Sequence, residues 1–173
     1  MISHNHKCIF IHIPKTGGKS IEHALGKNVE ALHKKPWKIK HGKPDDQVYR
    51  RLWDDDTYFK FTFLRDPFSR AVSAYFYQLG LCLLRRKHGK KIGYYGRGIA
   101  IAYDQAKQEG LPGEGFREFI KSRRNDFEDE LRMARSVWIP QCEYIRGYSY
   151  DFIGCLENIE NDMAYVSKTL GVD

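Results

Sequence analysis

The chain has 173 residues, 42% of them hydrophobic and 14% aromatic, enough for one domain with a buried core and too apolar for a disordered chain. Its 29 Lys and Arg outnumber 22 Asp and Glu, leaving a net charge of +7. That excess favours anionic partners without naming one: nucleotides, sulfated or carboxylated glycans, nucleic acid and membrane surfaces all stay open. No specific nucleic-acid motif adds to the bare charge. Cys8, Cys82, Cys142 and Cys155 form no CxxC pair, which argues against a zinc ribbon or thioredoxin-type motif. Cys8 and Cys155 lie among apolar residues and read as buried free thiols. No run is long and apolar enough to span a membrane, and Ile9 to Ile13, broken by His12, is too short for a signal peptide. The expectation is one soluble, cytoplasmic domain over residues 1–173.

In chain order, residues 7–13 read as a short buried strand. Pro14-Lys15-Thr16-Gly17-Gly18-Lys19-Ser20 follows, and a helix begins over Ser20 to Leu25, with Gly26 placed to stop it. Strand, tight loop and helix in that order, with glycines, lysines and hydroxyls at the junction, predict that residues 14–20 cradle a phosphate or a chemically similar group. Residues 27–57 are less regular; Asp45 is placed to cap a short helix, Gln47 to Trp53, and Asp54-Asp55-Asp56 reads as a solvated turn.

Tyr58 to Leu64 alternates with period two and reads as a second strand. Asp66 and Pro67 then open a helix as N-cap and first residue, with Val72, Tyr75, Phe76, Leu79 and Leu83 on one apolar face. Residues 85–98, basic and glycine-rich, read as a mobile loop, either a solvated linker or a substrate-contacting lid. Further helix is expected over Ile99 to Gln108 and around Phe116 to Leu131, with a break near Asn125. A short strand is expected over Asp151 to Leu156, and a last helix from Ile159 ends at Gly171. Strands alternating with helices predict an α/β domain with a mostly parallel central sheet.

Gly18-Lys19-Ser20 matches the end of a Walker A loop, but the first glycine of that motif would fall at position 13, which is isoleucine. A small P-loop kinase is therefore the weaker of two enzyme readings. A non-catalytic polyanion-binding module is a third, resting on charge alone. No spacing of metal ligands is visible. Around the second strand, Arg65 ends the strand and Arg70 and Ser73 lie three apart on the next helix, an arrangement suited to a phosphate dianion. Structural ion pairs and a packing serine would give the same residues.

Taken together, the two segments carry a resemblance. Ile-Pro-Lys-Thr-Gly-Gly-Lys-Ser resembles the 5′-phosphosulfate loop of sulfotransferases, and Arg-Asp-Pro-Phe-Ser-Arg-Ala-Val-Ser-Ala-Tyr resembles their 3′-phosphate segment. The match is nearest to the carbohydrate sulfotransferases of the heparan sulfate 2-O and chondroitin/dermatan type and their bacterial relatives. Trp138-Ile139-Pro140-Gln141 and Asp151 to Asn158 also look like that group. The resemblance implies a P-loop-like three-layer α/β fold with helices flanking the sheet. It implies transfer of a sulfuryl group from 3′-phosphoadenosine 5′-phosphosulfate (PAPS), without a metal, to a hydroxyl of an acceptor such as a glycan.

Carried over residue by residue, Lys15 would contact the phosphosulfate and stabilise the leaving oxygen. Thr16, Gly17, Gly18, Lys19 and Ser20 would hold the 5′-phosphate, and Arg65 and Ser73 the 3′-phosphate. Of the histidines between the segments, His33 and His41, the second is preferred as general base. His12 reads as a hydrogen-bonded core histidine, and Trp138 either stacks on adenine or belongs to the core. Two departures stand out. Position 19 is commonly threonine in this group, and relatives usually continue past the last helix with a further segment, which leaves open a minimal member, a shortened one, or a binding-competent protein with weak activity.

Overall fold

The computed structural model describes residues 1–25, 51–91, 94–110, 112–123 and 139–172. Gly26, most of the Gln47 to Trp53 helix, His33, His41, Trp138 and the break near Asn125 lie outside those residues. The chain forms two compact units, one made of residues 1–66 and 134–173, the other of residues 67–133.

The first unit holds a four-stranded sheet: β1 (Ile2–Ser3), β2 (Cys8–Ile11), β3 (Phe59–Leu64) and β4 (Phe152–Cys155), side by side in that order. β1 runs antiparallel to β2, while β2, β3 and β4 are parallel. Both faces of the sheet are covered at β2, which is why the Cys8–Ile11 strand is continuously apolar rather than alternating. Cys8 and Phe10 point to one face with Phe61 and Phe63, under α1 (Gly18–Ala24) and the final helix, through Ile21 and Val166. Ile2, Ile9 and Ile11 point to the other, with Trp53 and Tyr58. The two polar residues of β3 on that second face are tied down rather than solvated. Thr62 Oγ1 donates to the Ile11 carbonyl at 2.7 Å and Lys60 Nζ to the Asp55 carbonyl at 3.0 Å.

The strand expected over residues 7–13 is shorter, because the chain leaves the sheet at His12. Ile13 instead anchors a third apolar cluster with Ile139 and Tyr144. Cys8 is buried as expected, and burial pushes its thiol up to about 11. Cys155 is exposed; it sits on β4, the last strand of the sheet, with its side chain on the uncovered side. Asp55 does form a turn, accepting from both the N–H and the hydroxyl of Thr57.

The second unit is helical: α2 (Pro67–Lys87), α3 (Tyr94–Gln108) and α4 (Pro112–Arg123). α2 starts at Pro67 as its proline predicts, but its buried face is rotated from the expected one. Tyr75 and Leu79 are buried together with Arg70, Ala74 and Cys82, whereas Phe76 is 59% exposed. Tyr75 packs against Phe116 and Phe119 of α4 at 5.4 and 5.2 Å between ring centroids. The expected basic loop 85–98 is also shorter. Arg85, Arg86 and Lys87 form the last turn of α2, where cations suit the helix dipole, and Arg86 pairs with Asp104 of α3 at 2.9 Å.

In the first unit, α5 (Cys142–Ile145) precedes β4. A 3-10 turn, Leu156–Asn158, then leads into α6 (Ile159–Leu170), closed by left-handed Gly171 at φ 63°.

Candidate active site

Because β2, β3 and β4 are parallel and nearly in register, their C-terminal ends meet at one edge. Ile11 lies opposite Thr62, and Leu64 opposite Cys155. In open α/β sheets ligands bind outside that edge. Here it carries three short connections: residues 12–17 after β2, Arg65-Asp66 after β3, and Leu156–Asn158 after β4.

The first connection is a strained, tightly packed turn. Lys15 has φ 71° and Gly17 φ 79°. The left-handed region is natural for glycine but costs a lysine about 1–3 kcal/mol, so the surroundings must enforce it. They do so from inside the turn. Ile13 is fully buried, and the buried Thr16 hydroxyl donates to the Ile13 carbonyl at 2.9 Å. Gly17 then serves as N-cap of α1, its carbonyl accepting from the Ser20 and Ile21 amides at 2.9 and 3.2 Å.

Both glycines are also needed for space. A Cβ on Gly17 would lie 2.6 Å from Leu156 Cδ1, and one on Gly18 would lie 2.1 Å from His12 Cδ2. His12 lies over Gly18, stacked on Phe10 at 6.0 Å, with Nδ1 on Glu22 at 3.0 Å. It is hydrogen-bonded as expected, yet its side chain is 31% exposed and belongs to the loop rather than the core.

Three cations converge on this turn. Arg65 reaches back across the sheet edge, its guanidinium donating to the Lys15 carbonyl at 3.4 Å. The Lys15 amine is held below the ordinary lysine range, first by partial burial and then by the neighbouring charges of Arg65 and Lys19. Lys19, at the second position of α1, is exposed, so its charge acts across the mouth of the turn. An amine depressed by neighbouring cations is relieved by an anion placed between them. Ser20 is exposed on the same helix.

Ser73 is half-buried in the second turn of α2, in the other unit, and Arg70 near it is buried. No group of three metal-ligating side chains occurs among the described residues.

The supports of this edge come from far along the chain, and reasoning from local pattern missed them. Gln141 bonds the backbone of Arg65 twice, its Oε1 accepting from the N–H at 2.9 Å and its Nε2 donating to the carbonyl at 2.7 Å. Glu157 accepts from the Asp66 N–H at 2.8 Å. Ile139 packs on Ile13, and Leu156 lies against Gly17. Asp162 of α6 accepts from the Cys155 N–H at 2.7 Å and from the Asn158 side chain at 2.8 Å, fixing the turn that carries Leu156 and Glu157. The sequence offered the stretch 139–141 only as a resemblance and the stretch 151–158 as a short strand besides; their contacts give the resemblance a physical content.

A mostly parallel sheet flanked by helices, with cations gathered where its first parallel strand passes through a tight turn into a helix, defines a P-loop-like α/β fold. The buried Ile13, standing where a Walker A loop has glycine, sets it apart from the nucleotide triphosphatases. The sulfotransferase family pattern matches residues 1–173, and the chain belongs to that family. Among curated proteins it is similar to carbohydrate sulfotransferase 14 of Danio rerio, 27% identical over 187 residues, covering 99% of this chain and 48% of that protein. Carbohydrate sulfotransferase 10 of Homo sapiens is 26% identical over 193 residues, covering 97% of this chain and 51% of that protein. Carbohydrate sulfotransferase 11 of Rattus norvegicus is 32% identical over 129 residues, covering 67% and 34%. The chain thus spans about half the length of the first two. No solved structure matches it. No helix among the described residues is long and apolar enough to cross a membrane.

Proposed function

We propose that the chain transfers the sulfuryl group of PAPS to a hydroxyl of a carbohydrate. The observation that carries this reading is the convergence of Lys15, Lys19 and Arg65 on one turn, in a chain of the sulfotransferase family. Such a cluster fits a nucleotide bearing both a 5′-phosphosulfate and a 3′-phosphate.

In this reading Lys15 lies nearest the bridging oxygen. Gly17, Gly18, Lys19 and Ser20 receive the 5′-phosphate, and Thr16 contributes through its backbone, since its hydroxyl proton is already given to Ile13. Arg65 and Ser73 hold the 3′-phosphate. The acceptor oxygen attacks sulfur, the bond from sulfur to the phosphate oxygen breaks, and 3′-phosphoadenosine 5′-phosphate (PAP) departs. The acceptor proton passes to a base, for which His41 is our proposal. No metal ion is invoked. An anionic glycan as acceptor agrees with the charge distribution: no Asp or Glu occurs between Asp66 and Asp104, while Arg85, Arg86, Lys87, Lys90 and Lys91 lie within that stretch.

Calorimetric titration with PAP, AMP and ATP tests the reading. The 3′-phosphate contacts are charge-assisted, so PAP should bind at least about tenfold more tightly than AMP. Arg65→Ala should remove most of that preference. Equal affinity for PAP and AMP, or magnesium-dependent turnover of ATP, would reject it.

A further inference from the structure

We propose that Gln141 is a positioning residue that presets Arg65 for the 3′-phosphate, and so sets the preference for a 3′-phosphorylated nucleotide; this rests on the PAPS reading above. Arg65 is the first residue beyond β3, where sheet pairing stops. Its N–H and C=O would be left to water at an edge where a ligand must dock. Gln141 supplies both missing partners from one planar amide, with distances of 2.9 and 2.7 Å. It stands in for the peptide group of a neighbouring strand. An amide side chain offers an acceptor and a donor side by side in one plane, and the opposite polarities of the two Arg65 groups fix which end is oxygen.

The origin of that side chain is itself fixed. Ile139 is buried against Ile13 and Tyr144, the Tyr144 N–H donates to the Gln141 carbonyl at 3.0 Å, and α5 follows at once. On the other side Glu157 holds the Asp66 N–H. The Arg65 backbone is therefore gripped from two directions, leaving its side-chain torsions as the remaining freedom. A guanidinium on a fixed backbone loses less entropy on binding than one on a free loop end. Gln141 touches no reacting atom in this scheme and acts through Arg65.

The test is calorimetric titration of wild type, Gln141→Met and Gln141→Glu with PAP and with AMP, each variant checked for folding by thermal melting. Methionine keeps the length and removes both hydrogen bonds. Its PAP affinity should fall by about tenfold or more, because two polar backbone groups lose their partners, while AMP affinity changes by less than about threefold. Glutamate keeps the acceptor for the Arg65 N–H and loses the donor. Its second carboxylate oxygen would face the Arg65 carbonyl and repel it, so its PAP-to-AMP ratio should fall at least as far as that of Gln141→Met, and it carries the test should methionine not fold. A folded variant that keeps the wild-type ratio within about twofold, less than one lost hydrogen bond would produce, overturns the role of Gln141. A wild-type protein that binds PAP and AMP alike overturns the PAPS reading, and this proposal with it.

Discussion

Lys15→Met is expected to lower kcat for sulfuryl transfer by about 10²–10³-fold, the usual cost of removing one preorganised donor from charge that develops in the transition state. In the proposed scheme Lys15 serves that task from a backbone conformation that a free lysine rarely adopts. Its φ is 71°, and the Thr16–Ile13 hydrogen bond and the buried Ile13 side chain hold the turn around it. The amine is already depressed by burial, Arg65 and Lys19. Its protonated form is therefore less strongly favoured than in an ordinary lysine, and a phosphate dianion beside it would favour that form again. The sign follows directly: activity that needs the charged amine declines as pH rises through a lysine range lowered from the ordinary one. Methionine keeps the length and the apolar stem, so the loss should appear mainly in kcat, with a smaller change in KM for PAPS. Steady-state kinetics with any acceptor that the wild type sulfates will read it. A variant within about threefold of wild-type kcat, far short of a lost transition-state donor, would remove Lys15 from the chemistry.

Gly18→Ala is expected to cost about 1–3 kcal/mol of stability, the range for forcing a methyl into an occupied space, and to weaken nucleotide binding with it. The new Cβ would meet His12 Cδ2 at 2.1 Å, and Cγ at 2.6 Å. The whole ring must therefore move, giving up its stack on Phe10 and its bond to Glu22. The cost should be coupled to His12. In the double variant His12→Ala/Gly18→Ala the clash is gone, so adding Gly18→Ala should cost much less than it does in wild type. A thermal-melt double-mutant cycle gives this coupling, and additive effects would show that the ring and the glycine do not share the space. The same test separates steric need from conformational freedom. Gly17 is left-handed at φ 79°, and so would suffer from any side chain even with Leu156 cut back.

The contrast between those two glycines shows what the chain discloses by itself. The order strand, loop, helix was legible because a short apolar run, a proline and a glycine pair are local signals. β3, the start of α2 at Pro67 and the end of α6 at Gly171 were legible for the same reason. What Gly18 is for was not, because its partner His12 lies on the other side of the turn and reads from its neighbours as a strand residue. The grip of Gln141 and Glu157 on Arg65-Asp66 joins residues 76 and 91 positions apart, beyond any periodicity. The face of α2 was misjudged because an apolar stripe does not say on which side the neighbouring helices pack; Tyr75 turns toward α4 while Phe76 stays exposed. Cys155 was misjudged because apolar neighbours in sequence do not imply cover on both sides of a strand.

The mismatch at Ile13 carried more weight than the match at Gly18-Lys19-Ser20. Ile13 is wholly buried against Ile139 and Tyr144, so this position is a structural anchor for the loop. A Walker A glycine serves a close approach of backbone to phosphate there. That one apolar residue ties the loop to the distant segment that also supplies Gln141.

The most direct measurement is a crystal structure of the chain with PAP bound. The 5′-phosphate should lie at the Lys15–Ser20 turn, with Lys15 Nζ on a phosphate oxygen, and the 3′-phosphate on the Arg65 guanidinium while Gln141 still grips the Arg65 backbone. PAP bound away from this edge of the sheet, or with its 3′-phosphate facing solvent, would contradict that placement.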